Sequence, residues 1–158
     1  MIFERRKVAK FQEQDCSLTL REAMEEFYSI NSKLFSKPDP LTNWTELLVH
    51  HDVGHVFFGV NTSLLDETAG DCWTFFATDM TFKEYKDYAN TPEGKKLIQD
   101  IGPKLLVKSL IFGIPLMCKV FLRSKKMSRK WQVRGYEEYL DMPLGEIRKL
   151  FKLEILKY

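Results

Sequence analysis

Histidine and cysteine are both scarce in this 158-residue chain, with three of each. The cysteines, Cys16, Cys72 and Cys118, are odd in number, far apart and in no CxxC pair. That pattern argues against a disulfide framework or a zinc ribbon and fits a reducing compartment. A charge bias is also missing, since a net +2 gives no global case for nucleic acid. The opening Met1-Ile2-Phe3-Glu4-Arg5-Arg6-Lys7 lacks the apolar stretch of a secretory signal. No segment combines the length and low charge of a transmembrane helix. These absences predict a cytoplasmic protein, with peripheral contact on the inner face of a membrane left open. Repeats and low-complexity stretches are absent, and few segments alternate with period two. With 44% apolar residues, one domain over 1–158 with a real core is expected.

What histidine there is falls within six residues, in the run Val49-His50-His51-Asp52-Val53-Gly54-His55. Imidazole is the commonest metal ligand and titrates near neutral pH. His51 and His55 are spaced i, i+4, one turn apart on one helix face. Asn43 as N-cap, with Glu46 three residues on, starts that helix at Trp44. Trp44, Leu47, Leu48, His51, His55 and Phe58 form one stripe, stopped by Gly59. His50 is expected on the opposite face and Asp52 at the stripe's edge. Gly54 leaves room for another element or a ligand to approach. A lone buried histidine is ordinarily satisfied by a carbonyl or a carboxylate. Two of them one turn apart, beside an aspartate, favour a shared divalent metal instead.

Ser63, with Asp66 three residues on, opens a second helix from Leu64 to about Phe76, and the short connection makes the pair an antiparallel hairpin. Glu67, Asp71 and Thr74 share its polar stripe, while Leu65, Ala69, Cys72 and Phe76 line an apolar one. Glu67 would then lie close to His55, so that His51, His55 and Glu67 can meet around one ion. Its plain alternative is an acidic first-turn residue favoured by the helix dipole. Asp52 is either a fourth ligand or the acceptor that orients a ligating imidazole.

His51-Asp52-Val53-Gly54-His55, eleven residues and then Glu67 resemble the HDxxH-x11-E signature of the coenzyme Q (ubiquinone) biosynthesis protein 4 family. The stretch between, Val56 to Asp66, is similar too, with an apolar run, a glycine and a polar turn in order. The resemblance spans about 44–76 and returns more weakly near the C-terminus. It implies that His51, Asp52, His55 and Glu67 ligate a divalent metal, zinc first and iron(II) second. It also implies a role in ubiquinone biosynthesis, with a prenylated quinone precursor or another isoprenoid lipid as partner. Within that role the family organises quinone-biosynthesis enzymes and is proposed to remove the C1 carboxyl of the precursor, a lyase or oxidative decarboxylase activity. Because only forty-nine residues precede His50, the resemblance is to a short or divergent member.

The remaining signals are helical as well. Thr19-x-x-Glu22 opens a helix with Leu20, Ala23, Met24, Phe27, Ile30, Asn31 and Leu34 on one face, stopped at Pro38-Asp39-Pro40. Thr81-x-x-Glu84 and Thr91-Pro92-Glu93 start two more. Gly102-Pro103 precedes a long apolar helix from about Lys104 to Leu122, which Gly113-Ile114-Pro115 should kink. Asp141 is expected to cap a last helix around Leu144 to Phe151. The expected fold is an all-α, single-domain bundle of six or seven helices around the motif-bearing hairpin.

The long apolar helix has two readings. Joined to Lys119, Arg123, Lys125, Lys126, Arg129, Lys130 and Arg134 with no acidic residue between, it suits an anionic membrane surface. A central core helix followed by a solvated basic face accounts for it more simply, since central helices of bundles are commonly apolar all round. On the first reading Leu106, Leu110, Phe112 and Leu116, with Lys125, Lys126, Arg129 and Lys130, contact lipid, and Trp131 meets a head group or covers the core.

Other chemistries lack their residues. A His-Asp phosphohydrolase needs distant histidines, a zinc protease needs glutamate after the first histidine, and no GxSxG elbow serves a hydrolase. No nucleic-acid module accompanies the basic run. Two classes remain. One is a metal-dependent enzyme of prenylated quinones, and the other a non-catalytic lipid-binding or scaffold protein. The sequence leaves a homo-oligomer open.

Overall fold

The computed structural model describes residues 8–32, 44–90 and 103–157, apart from the side chains of 44–48, 85, 88, 89 and 103–112. These residues hold six α-helices: α1 (Leu20–Ile30), α2 (Trp44–Phe58), α3 (Leu64–Ala77), α4 (Phe82–Ala89), α5 (Pro103–Ser124) and α6 (Leu144–Phe151). Two 3-10 turns, Lys10–Gln12 and Tyr136–Tyr139, complete them. There is no strand among the described residues, only the isolated bridges Thr19–Pro143 and Thr78–Trp131. The chain is an all-α bundle, as its sequence signals.

Caps set three of the starts. Thr19 Oγ1 accepts from Glu22 N at 3.2 Å while Glu22 accepts from Thr19 N at 2.8 Å. Thr81 and Glu84 repeat the arrangement on α4, and Ser63 accepts from Asp66 N at 3.2 Å to open α3. Each such cap stabilises by about 1 kcal/mol. Asn43, Pro38-Asp39-Pro40 and Thr91-Pro92-Glu93 lie outside the described residues. Asp141 does not cap α6. Leu144 N bonds to Leu18 O and Leu20 N to Met142 O, which locks Pro143 into the N-cap position. Asp141 is left outside that crossing and accepts from Arg21 Nε at 3.1 Å.

Among the described side chains, α2 is more deeply buried than the long apolar helix. Val53, Val56, Phe57 and Phe58 are all within 1% of complete burial, and His50, Asp52 and His55 are buried as well. Phe57 stacks on Trp131 at 4.0 Å and Phe58 on Trp73 at 4.9 Å. Trp131 is therefore a core residue rather than a head-group contact. The expected outward position of His50 does not occur, because Tyr136 packs edge-on against its ring at 5.6 Å.

Burial of the large Trp73 against Phe58 also fixes the rotation of α3. Its buried residues are Asp66, Ala69, Gly70, Trp73 and Ala77, and Leu65, expected inside, is 45% exposed. α5 runs alongside α3 in the same direction, with Gly113 against Thr68 and Phe121 against Phe76. It passes through Pro115 without interruption. Gly113, Leu116 and Val120 are buried, whereas Ile114, Met117, Phe121 and Leu122 are exposed. Leu116, named from sequence as a lipid contact, thus belongs to the core, and the side chains of Leu106, Leu110 and Phe112 lie outside the description. Arg129 sits over the Phe151 ring and donates to Tyr139 Oη, while Lys125 lies over Phe121.

Candidate metal centre

The end of α2 is held from two directions. Gly59, at φ +70°, takes the left-handed position after the helix, so that Val60 N reaches His55 O at 3.0 Å and Gly59 N reaches Val56 O at 3.2 Å. Arg148, fully buried, donates Nε to Phe57 O at 2.9 Å and Nη2 to Val56 O at 2.8 Å. Its remaining donors reach Phe11 O and Glu13 O. Burial lowers its pKa to about 10, which still leaves a full cation near neutral pH. Sequence reading missed Arg148, since an arginine spaced like an apolar residue on a short helix gives no local signal.

His55 therefore sits in the last turn of a fixed helix, and Glu67 one turn into α3. The α3 backbone closes on it at Gly70, where a side-chain carbon would stand 3.6 Å from the His55 ring. His55 Nε2 lies 3.5 Å from Glu67 Oε2, and the His51 and His55 rings are 4.5 Å apart. One ligand atom each from His51, His55 and Glu67 falls within 4.8 Å of the others, so this cluster could hold a metal ion.

Proton placement leaves the cluster one positive charge short. His55 Nδ1 is 3.0 Å from Asn61 O, and a carbonyl only accepts, so Nδ1 carries the hydrogen. Nε2 then presents a lone pair to the Glu67 carboxylate in a buried setting. Two acceptors face each other at 3.5 Å, and either a second proton or a cation must lie between them.

The surrounding groups orient both imidazoles. Asp52 Oδ1 is 3.5 Å from His51 Nδ1, and its Oδ2 accepts from Tyr28 Oη at 3.1 Å. A carboxylate on one ring nitrogen leaves the other with its lone pair. Asn31, buried at the end of α1, donates Nδ2 to Phe27 O and to Asn61 Oδ1, both at 2.9 Å, and accepts from Thr62 Oγ1 at 2.7 Å. That network fixes the loop whose Asn61 carbonyl orients His55. The sequence placed Asn31 on an apolar stripe, the one available signal of such a role. Tyr28 carried none.

Burial works against charging His51, but the hydrogen bond and charge of Asp52, with the charges of Glu67 and Asp71, raise its pKa above the ordinary value. Burial pushes Glu67 up, and the hydrogen bond and charge of His55, then the charge of His51, bring it below the ordinary carboxylate range. Burial and then the Asp52 charge drive the Tyr28 hydroxyl upward, so it remains a donor. The site thus favours positive charge at its centre. Of the residues expected as ligands, the structure brings together His51, His55 and Glu67 and places Asp52 behind His51, on Tyr28. Apart from its chain neighbours and its own helix's backbone, no atom of the described residues lies within 4 Å of where a side chain at Gly54 would begin.

No family model, curated protein or solved structure matches the chain. No helix among the described residues is long and apolar enough to cross a membrane.

Proposed function

We propose that the chain is a zinc-binding protein of prenylated-quinone biosynthesis that acts on a polyprenyl aromatic acid precursor. The convergence of His51, His55 and Glu67 on the spaced HDxxH-x11-E pattern carries this reading. Zinc bonds of about 2.0–2.1 Å at tetrahedral angles set neighbouring ligand atoms roughly 3.3–3.4 Å apart, close to the His55–Glu67 separation of 3.5 Å. Two neutral imidazoles and one carboxylate leave a divalent ion with a single excess positive charge, which Asp52 offsets through His51. Iron(II) suits the same donors less specifically.

With three protein ligands, the ion would offer an open position that polarises a carboxylate or phenolate oxygen. In the decarboxylation reading, the bond from ring C1 to the carboxyl breaks, carbon dioxide leaves and a proton replaces it. His51 and His55 would orient the acid, and the buried wall of α2 would exclude water. The test is carbon dioxide release from a carboxyl-labelled prenylated aromatic acid by zinc- or iron-loaded protein in detergent. Release that is lost in His51→Ala supports the reading, and no release with either metal contradicts it.

A second reading, a non-catalytic lipid-surface scaffold, rests on exposed Ile114, Met117, Phe121 and Leu122 beside Lys125, Lys126 and Lys130. Metal-loaded protein that sediments with anionic vesicles and turns nothing over would favour it.

A further inference from the structure

We infer that Tyr28 is a positioning residue that withholds Asp52 from the metal and thereby keeps a coordination position open. The inference rests on the metal reading above and goes beyond it, because the resembled signature counts this aspartate among the ligands. Asp52 is 6% exposed and adjacent in sequence to the ligand His51. A buried carboxylate beside a divalent cation is drawn to it unless its oxygens are otherwise satisfied. Here they are. Tyr28 Oη donates to Oδ2 at 3.1 Å, from a different helix, and His51 Nδ1 faces Oδ1 at 3.5 Å. Asp52 accordingly stands outside the group whose ligand atoms lie within 4.8 Å of one another. Tyr28 is half-buried between Phe27 and Asp52, so its hydroxyl is held in place rather than free in solvent. Losing that one oxygen leaves Asp52 Oδ2 without its donor, and the cation becomes the strongest remaining partner. Coordination by Asp52 would close the shell to outside ligands.

Cobalt(II), whose visible spectrum reports its ligands, tests this directly. Wild type, Tyr28→Phe, Asp52→Asn and Tyr28→Phe/Asp52→Asn are loaded with cobalt(II) and titrated with thiocyanate, with circular dichroism confirming the fold of each. Wild type and Asp52→Asn should bind the anion with a saturable spectral change. Tyr28→Phe should show an altered spectrum before any anion is added and a response at least about tenfold weaker, and the double variant should recover it. A Tyr28→Phe spectrum and titration identical to wild type overturns the inference while leaving the metal reading intact. Wild type that takes up no cobalt overturns both.

Discussion

α2 and α5 are similarly apolar on paper and end up in opposite places. α2 carries three histidines and an aspartate, and most of its described side chains are buried. α5 carries the longer hydrophobic run and leaves Ile114, Met117, Phe121 and Leu122 exposed. Hydrophobicity did not choose between them. The difference lies in what each helix finds for its polar groups. α2 is boxed in by Tyr28, Asn61 and Arg148, each satisfying a group that would otherwise forbid burial, and Asn31 holds Asn61 in place. The described part of α5 packs along α3, through Gly113 on Thr68 and Phe121 on Phe76, and has no such buried polar groups to satisfy.

The comparison predicts that α2 is fragile where α5 is tolerant. Arg148→Met should have the largest effect, since it strips donors from four carbonyls at once, three of them in buried contacts. Chemical denaturation should show a loss of about 3–5 kcal/mol, and a loss under 1 kcal/mol would mean that the clamp is dispensable. Next come the ligands. His55→Ala should abolish the stabilisation that metal confers, about 2.7 kcal/mol when free metal exceeds Kd a hundredfold, read as the vanished metal-dependent shift in Tm.

The dependence on pH is smaller and has a definite sign. In metal-free protein, the raised pKa of His51 contributes stability that is present below about pH 6.5 and lost as pH climbs through the folded value. The lowered pKa of Glu67 contributes stability that is present above about pH 4.5 and lost as pH falls through its folded value. Metal-free protein should therefore lose stability as pH rises above about 6.5, while metal affinity rises over the same interval as His51 sheds its proton. A melting series with and without zinc checks both signs. The smallest effect belongs to α5, where Leu122→Ser, at a position 63% exposed, should change stability by no more than about 0.5 kcal/mol.

Local rules made much of this legible. Thr19, Ser63 and Thr81 announced their helices, and the His51, His55 and Glu67 spacing announced their meeting, because caps and one-turn spacings act over a few residues. Longer-range choices were not legible. The rotation of α3 follows from Trp73 meeting Phe58, and the displacement of Asp141 follows from a backbone crossing between residues 18–20 and 142–144. The inward position of His50 depends on Tyr136, far along the chain. Arg148 illustrates the limit best, because its four carbonyl partners come from two distant segments, around Phe11 and Phe57.

The most direct test of the metal centre is the zinc and iron content of purified protein, measured by elemental analysis beside His51→Ala and Glu67→Ala. The geometry predicts near-stoichiometric metal in wild type and its loss in both variants. Folded wild type that holds no metal, even after reconstitution with zinc and with iron(II), would contradict it, and the cluster would then be an imidazolium–carboxylate core.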